Sequence, residues 1–333
     1  IEKIFIYSDM LRNKITIIIP SRSYDKNLSF CIEKIRQIYK KIKIIIILDK
    51  KESFKKDKNI SVLVSGNKTI GYKRNLAVKH CKTDYVYFID SDAYPTTSWL
   101  DQVDKTFKKY KRAGAIGGPN LSPLTNNIEK KLVSIFKNLF FVTLNTAVKS
   151  RKKIEGTINF LPSCNLVVKT KIYKKLRGMY EELYSGEELP LILNIKKNNF
   201  EIIFNPKIYV FHKDRNFKHF FRQRFVYGST GLRLFIKFPC RQSFLLLISS
   251  VPFVYLLIFP LALLDNFFFI EYIFGISLLS LFCLLTAFKI NYSHNYFLKS
   301  LKLSLIGIFA PGIGFIASLL LKDDLIKQLF TQE

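Results

Sequence analysis

Asp90-Ser91-Asp92 sets two carboxylates on either side of a serine, where the apolar run Tyr85 to Ile89 breaks off. Carboxylate oxygens at that spacing are hard ligands suited to Mg2+ or Mn2+, and a cation held on them can also bridge a diphosphate. A second acidic pair, Glu187-Glu188, follows Gly186. It reads either as proton-transfer groups or as two acids at the positive end of a helix dipole. Arg74 can contact diphosphate oxygens or stand as an ordinary exposed helix arginine. Acidic turns are common, so the weight of Asp90-Ser91-Asp92 rests on the elements that hold it.

Those elements alternate. Ile15 to Ile19 is a short β-branched run stopped by Pro20-Ser21, Ile44 to Leu48 is a second ending at Asp49, and Ser61 to Val64 is a weaker third. With Tyr85 to Ile89 they read as buried strands. Leu28, Cys31, Ile32, Ile35 and Ile38 recur at helical spacing between the first two, and Gly71 to Cys81 opens another helix. Alternation of this kind predicts a Rossmann-like, doubly wound α/β sheet, whose ligands sit beyond the carboxyl ends of the strands. Asp49 and Asp90 both fall there.

From Phe244 the texture changes. The stretches 244–264, 267–288 and 303–321 are nearly free of charge and close to the ~20 residues a membrane helix needs. They divide the chain into a catalytic domain, 1–242, and a membrane region, 243–333, with three predicted transmembrane helices. Arg233, Lys237 and Arg241 precede the first stretch, and Lys289, Lys299 and Lys302 separate the second from the third. That bias predicts a multi-pass membrane protein with its catalytic domain in the cytoplasm. Ile1 to Lys14 holds no apolar stretch long enough for a signal peptide, so membrane entry is expected later in the chain. Segments 132–148 and 217–238 mix Phe with Lys or Arg as interfacial helices on a bilayer would. For the first, packing against the protein's own core is an equal alternative.

Lys+Arg outnumber Asp+Glu by 53 to 25, an excess that favours anionic lipid headgroups and diphosphate ligands. No zinc-finger spacing or aromatic RNA-binding motif accompanies it, so nucleic acid is not an expected partner. The five cysteines, Cys31, Cys81, Cys164, Cys240 and Cys283, are scattered without a CxxC pair and suggest a reducing compartment.

Ile17-Ile18-Ile19-Pro20-Ser21-Arg22, Gly71-Tyr72-Lys73-Arg74-Asn75, Tyr87-Phe88-Ile89-Asp90-Ser91-Asp92 with Trp99-Leu100, Pro162-Ser163-Cys164-Asn165 and Gly186-Glu187-Glu188-Leu189 occur in one order. In that order and rough spacing, Ile15 to Leu234 resembles the family 2 glycosyltransferases of the GT-A fold. The resemblance implies that Pro20, Ser21, Arg22 and Ser91 line the nucleotide and that Asp49 reads its base. It implies that Asp90, Asp92 and His212 hold the cation. Glu188, at the family's Asp position, would be the catalytic base, with Glu187 orienting the acceptor. Arg224, in a stretch similar to the family's Gln-x-x-Arg-Trp motif but differently spaced, would meet the diphosphate or pack at the membrane surface. The implied activity is inverting transfer from a nucleoside-diphosphate sugar, a UDP-sugar first, to a hydroxyl of a lipid-linked or membrane-proximal glycan. The alternatives are transfer to a polyprenyl phosphate, as in dolichyl-phosphate sugar synthases, and a catalytically silent membrane scaffold of the same fold.

Overall fold

All six residues of Ile15–Pro20 (β1) are buried, as are five of the six in Lys43–Leu48 (β2). A strand covered on both faces needs no polar alternation, which is why both read as unbroken apolar runs. The computed structural model describes residues 13–53, 57–139, 154–290 and 296–321. Between the first two strands lies α1 (Lys26–Ile38), started by Asp25, whose carboxylate accepts from Leu28 N at 2.8 Å. Then come β3 (Ile60–Val64), α2 (Ile70–Lys79), β4 (Tyr85–Ile89), β5 (Ala93–Pro95), α3 (Trp99–Lys109), β6 (Ala113–Gly117) and β7 (Asn120–Leu121). After α4 (Ile128–Lys137) follow β8 (Gly156–Thr157), β9 (Asn165–Lys169), α5 (Thr170–Lys175), α6 (Leu189–Lys197), β10 (Glu201–Phe204) and β11 (Val210–His212).

The main sheet has the order β3-β2-β1-β4-β9-β6-β10-β8, and a small one has β5-β11-β7. β1, β2, β3 and β4 pair in parallel, but β9 runs antiparallel to both β4 and β6. The sheet is thus mixed, and its two faces support separate cores. Ile17 and Ile19 pack with Trp99 on one face, while Ile18 packs with Phe88 and Leu166 on the other. Trp99 is fully buried and lies against Tyr87 at 3.9 Å between ring centroids, a position where truncation to Ala costs roughly 3–5 kcal/mol.

The chain divides into two compact units, Ile1–Pro123 with Ala147–Lys213, and Leu124–Thr146 with Asp214–Glu333. The division falls near 213 where 242 was expected, because α7 (Phe217–Lys237) packs inside the second unit. There a Cβ on Gly228 would lie 1.7 Å from Pro311 O, and one on Gly314 would lie 2.0 Å from Phe225 O. Small residues permit that approach between helices, and α7 buries Phe217, Phe220 and Phe225 instead of lying on a surface by its full aromatic face. In α4, Leu132, Val133 and Phe136 cluster with Phe217, Phe220, Ile290 and Leu303 of the same unit. Residues 140–148 of the expected interfacial helix lie outside the described residues.

The expected first span, 244–264, is not one helix. It is built as α8 (Arg241–Ile248), α9 (Val251–Leu257) and α10 (Phe259–Ala262), with Pro252 and Pro260 in the first turns of the last two. Proline has no N–H to give to the preceding turn, so each one starts a helix where a continuous span would need to run on. Two helices among the described residues are long and apolar enough to cross a membrane, α11 (Asn266–Ile290) and α12 (Phe297–Leu320). Only 11% of the most apolar window of α11 is buried, against 44% for α12, so α11 presents the larger bare apolar surface.

Candidate functional site

The site is built in the first unit, at the carboxyl ends of β1, β2 and β4. Pro20 closes β1, Ser21 N donates to Ile47 O at 2.9 Å and Asp49 N donates to Arg22 O at 3.0 Å, so the two strand ends are stitched together. Lys73 on α2, 3% exposed, sends Nζ to Asp49 Oδ1 and to Ser21 O, each at 2.6 Å. Burial pushes its ammonium pKa down, and Asp49 works against that shift. Lys73 was not among the expected site residues. Its only signal in the sequence was its place beside Arg74, since the partners lie far off in the chain. Arg22 stands exposed at the rim.

Asp90 follows β4 directly and Asp92 precedes β5, with Ser91 half-buried in the turn between them. The small sheet then supplies the third group. β11 pairs antiparallel with β5 so that His212 faces Ala93, which sets His212 Nε2 2.9 Å from Asp92 Oδ1 and 3.9 Å from Asp90 Oδ2. One ligand atom from each of Asp90, Asp92 and His212 lies within 4.8 Å of the others. Two carboxylates and an imidazole suit Mn2+ or Mg2+, and all three side chains are half-buried, open enough for an ion and its water to reach. To ligate, His212 Nε2 must be unprotonated and carry its proton on Nδ1. Cys31, whose Sγ lies 3.9 Å from Asp90 O, has its thiol pKa pushed up by burial and stays neutral beside this cluster.

The acidic pair is held by α2 from the opposite side. A Cβ on Gly71 would lie 2.3 Å from Tyr180 O, so only glycine lets the helix start approach that strand of loop. One turn on, Asn75 Nδ2 donates to Met179 O at 2.8 Å and Asn75 Oδ1 accepts from Met179 N at 2.9 Å. Tyr180 N donates to Glu187 O at 2.9 Å, and Gly186, at φ 76°, turns the chain into the pair. The Gly71 and Asn75 spacing is therefore a clamp on the loop that carries Glu187 and Glu188.

Glu187 and Glu188 are 5% and 7% exposed. Glu188 occupies the N-cap position of α6 but its side chain makes no cap hydrogen bond; its Oε1 accepts a long one, 3.4 Å, from Ser163 N. Burial first, and Glu187 second, push the Glu188 pKa up to about 8, while its own backbone N–H, Arg74 and Ser163 N–H pull the other way. Arg74, 1% exposed, is no surface arginine. Its Nη2 donates to Asp90 Oδ1 at 2.8 Å, and its Nη1 bonds Glu187 Oε1 and, at 2.9 Å, Ser163 Oγ. Burial alone would lower its pKa, but Glu187 and Asp90 hold it above the usual value. Ser163 is delivered by β9, whose Asn165 faces Ile89 at the end of β4. Arg224 belongs to α7 in the second unit, with its guanidinium 6.0 Å from the Tyr227 ring.

The mixed sheet is of the kind seen in GT-A glycosyltransferases. Residues 16–177 match the family model described as Glycosyl transferase family 2. The pre-mycofactocin glycosyltransferase of Mycobacterium tuberculosis is 21% identical over 180 residues, covering 51% of this chain and 36% of that protein. Glycosyltransferase GlyA of Streptococcus pneumoniae is 26% identical over 118 residues, covering 32% of this chain and 17% of its own length. The chain thus spans about a third or less of the length of these curated relatives. Among solved structures, the mannosyltransferase PcManGT from Pyrobaculum calidifontis, determined with GDP-Man and Mn2+, covers 92% of this chain and 87% of its own at a TM-score of 0.56 and 12% identity. That likeness shows a shared fold. The chain carries a glycosyl transferase family 2 domain, followed by two helices long and apolar enough to cross a membrane.

Proposed function

We propose that this glycosyltransferase is cation-dependent and inverting, moving a sugar from a nucleoside diphosphate to a hydroxyl on a lipid-linked or membrane-proximal acceptor. The observation that carries the reading is the juxtaposition, through Arg74, of the open Asp90, Asp92 and His212 cluster with the buried pair Glu187 and Glu188. Mn2+ or Mg2+ bound on the first group would neutralise charge developing on the departing diphosphate. Asp49 and Ser21, with Lys73 behind them, form the nucleotide end of the site. Glu188 takes the acceptor proton: a carboxylate pushed up by burial is a stronger base than a free one and remains ionised in part near neutrality. Glu187, held by Arg74, orients acceptor hydroxyls. The nucleotide-sugar donor is supported by the PcManGT likeness, and the membrane acceptor by the bare apolar surface of α11.

On this reading the catalytic domain faces the cytoplasm, because Lys289, Lys299 and Lys302 border one side of α11 and α12. That orientation requires the proline-broken segment 241–262 to cross as well. The test is nucleotide release by the full chain in detergent, against a panel of UDP- and GDP-sugars with Mn2+ and extracted membrane lipids. Release that needs both Mn2+ and lipid, and is lost in Asp92→Asn, is expected. Equal release without lipid would remove the membrane acceptor, and no Mn2+-dependent release with any donor would sink the enzyme reading.

A further inference from the structure

Arg74 touches both halves of the site, and its surroundings are unusual for a helix arginine. Its Nη2 donates to Asp90 Oδ1 at 2.8 Å, its Nη1 bonds Glu187 Oε1, and its guanidinium lies 5.9 Å from the Phe88 ring centroid. Its Nε is buried with no hydrogen-bond partner among the described residues. A buried donor left unpaired is costly, so the fold keeps this side chain for what its two Nη atoms do. Asp90 Oδ1 is committed to Arg74, while Asp90 Oδ2 is the oxygen that faces His212 Nε2.

We propose that Arg74 is a positioning residue that links cation binding at Asp90 to the acceptor-side carboxylate Glu187, so that occupancy of either half of the site strengthens the other. The proposal rests on the cation-dependent reading above and adds to it a coupling through one guanidinium. While Glu187 is ionised, it absorbs much of the charge of Arg74, and Asp90 keeps its own charge for the cation. Remove the charge of Glu187, and Arg74 pairs with Asp90 alone and opposes the cation at short range. The coupling is reciprocal: a cation that draws on Asp90 leaves the Arg74 charge to Glu187 and Glu188. Loading the donor end thereby readies the acceptor end.

Mn2+ titration of the full chain in detergent without donor, followed by the loss of the free-ion paramagnetic resonance signal, reads this directly. Glu187→Gln, which touches none of the three cation-binding side chains, is expected to weaken Mn2+ binding about ten-fold. Glu187→Asp keeps the charge but draws it back by a methylene, and is expected to weaken binding several-fold. In Arg74→Lys, whose single ammonium cannot reach both carboxylates, Glu187→Gln should add nothing further. Glu187→Gln within two-fold of the parent protein, full affinity in Glu187→Asp, or additive losses in the Arg74→Lys background would each overturn the linkage. Should Arg74→Lys not fold, the two Glu187 variants decide alone. Asp92→Asn separates the two readings. If it abolishes binding while Glu187→Gln does not change it, the linkage alone is wrong; if the parent protein binds no Mn2+, the cation-dependent reading fails and takes the linkage with it.

Discussion

The two acidic groups of the site are bridged by Arg74 and differ sharply in exposure. Asp90 and Asp92 have side chains 32% and 26% exposed, stand at a turn and share a half-buried histidine. Glu187 and Glu188 are almost fully enclosed, and their compensation comes from Arg74 and the Ser163 backbone. The first pair is open enough to exchange solvent for a cation, whereas burial and the neighbouring Glu187 push the Glu188 carboxyl up to about 8. Both are carboxylate pairs, and what differs is their exposure and their partners.

The comparison breaks most sharply at Asp92. Asp92→Asn removes one of two cation carboxylates and leaves its amide beside His212, and transfer should fall on the order of 10³-fold, with added Mn2+ no longer rescuing it. Steady-state rates across a Mn2+ series check this. A fall of only a few-fold would mean that the open pair is an ordinary acidic turn.

Glu188→Gln tests the enclosed pair and carries the next largest effect, about 10²-fold or more in kcat with a hydroxyl acceptor. With a polyprenyl phosphate acceptor, already anionic and needing no base, the same variant should keep nearly full activity. In the parent protein, kcat/KM should rise with pH and level off above about 8, as Glu188 loses its proton. Stability should run the other way. The folded state binds the Glu188 proton more tightly than the unfolded chain does, so the stability this lends below the unfolded pKa is lost as pH rises toward about 8. Glu188→Gln should therefore raise Tm relative to the parent at pH 8.5 and differ little at pH 5, a contrast that thermal melts at the two pH values would reveal.

Much of this was legible in the chain. Unbroken β-branched runs ending at Pro20, Asp49 and Asp90 marked the strand ends, because strands buried on both faces leave no other pattern. The order of the motifs then singled out the candidate carboxylates. The burial of Arg74 was not legible, since its partner Glu187 is 113 residues away and nothing local distinguishes an arginine facing solvent from one facing two acids. Lys73 was missed for the same reason. His212 was placed by resemblance, whereas its physical cause, the pairing of β11 with β5, emerges only in three dimensions. The first expected span is broken into three helices for a local reason that hydropathy ignores. Pro252 and Pro260 are apolar residues to a hydropathy window and helix starts to the backbone.

Glycine gives the smaller predictions. In the second unit, Gly228→Ala would drive a methyl into Pro311 O at 1.7 Å, a backbone atom that cannot swing aside, so α7 and α12 must part. A loss of roughly 1–3 kcal/mol is expected, seen as a lower Tm in detergent.

In the first unit, Gly186 holds φ at 76°, where a Cβ is strained. Gly186→Ala should cost only about 1 kcal/mol of stability by chemical denaturation. Its effect on turnover should be larger than that figure suggests, because Gly186 aims the next two residues, and relaxing its backbone turns both carboxylates away from Arg74 and Ser163. A displacement of ~1 Å at a base costs rate steeply while leaving packing almost untouched. If Gly186→Ala instead lost stability and kept full kcat, the acidic pair would be a structural feature of the α6 start, and the contrast with Asp90 and Asp92 would be one of burial without function.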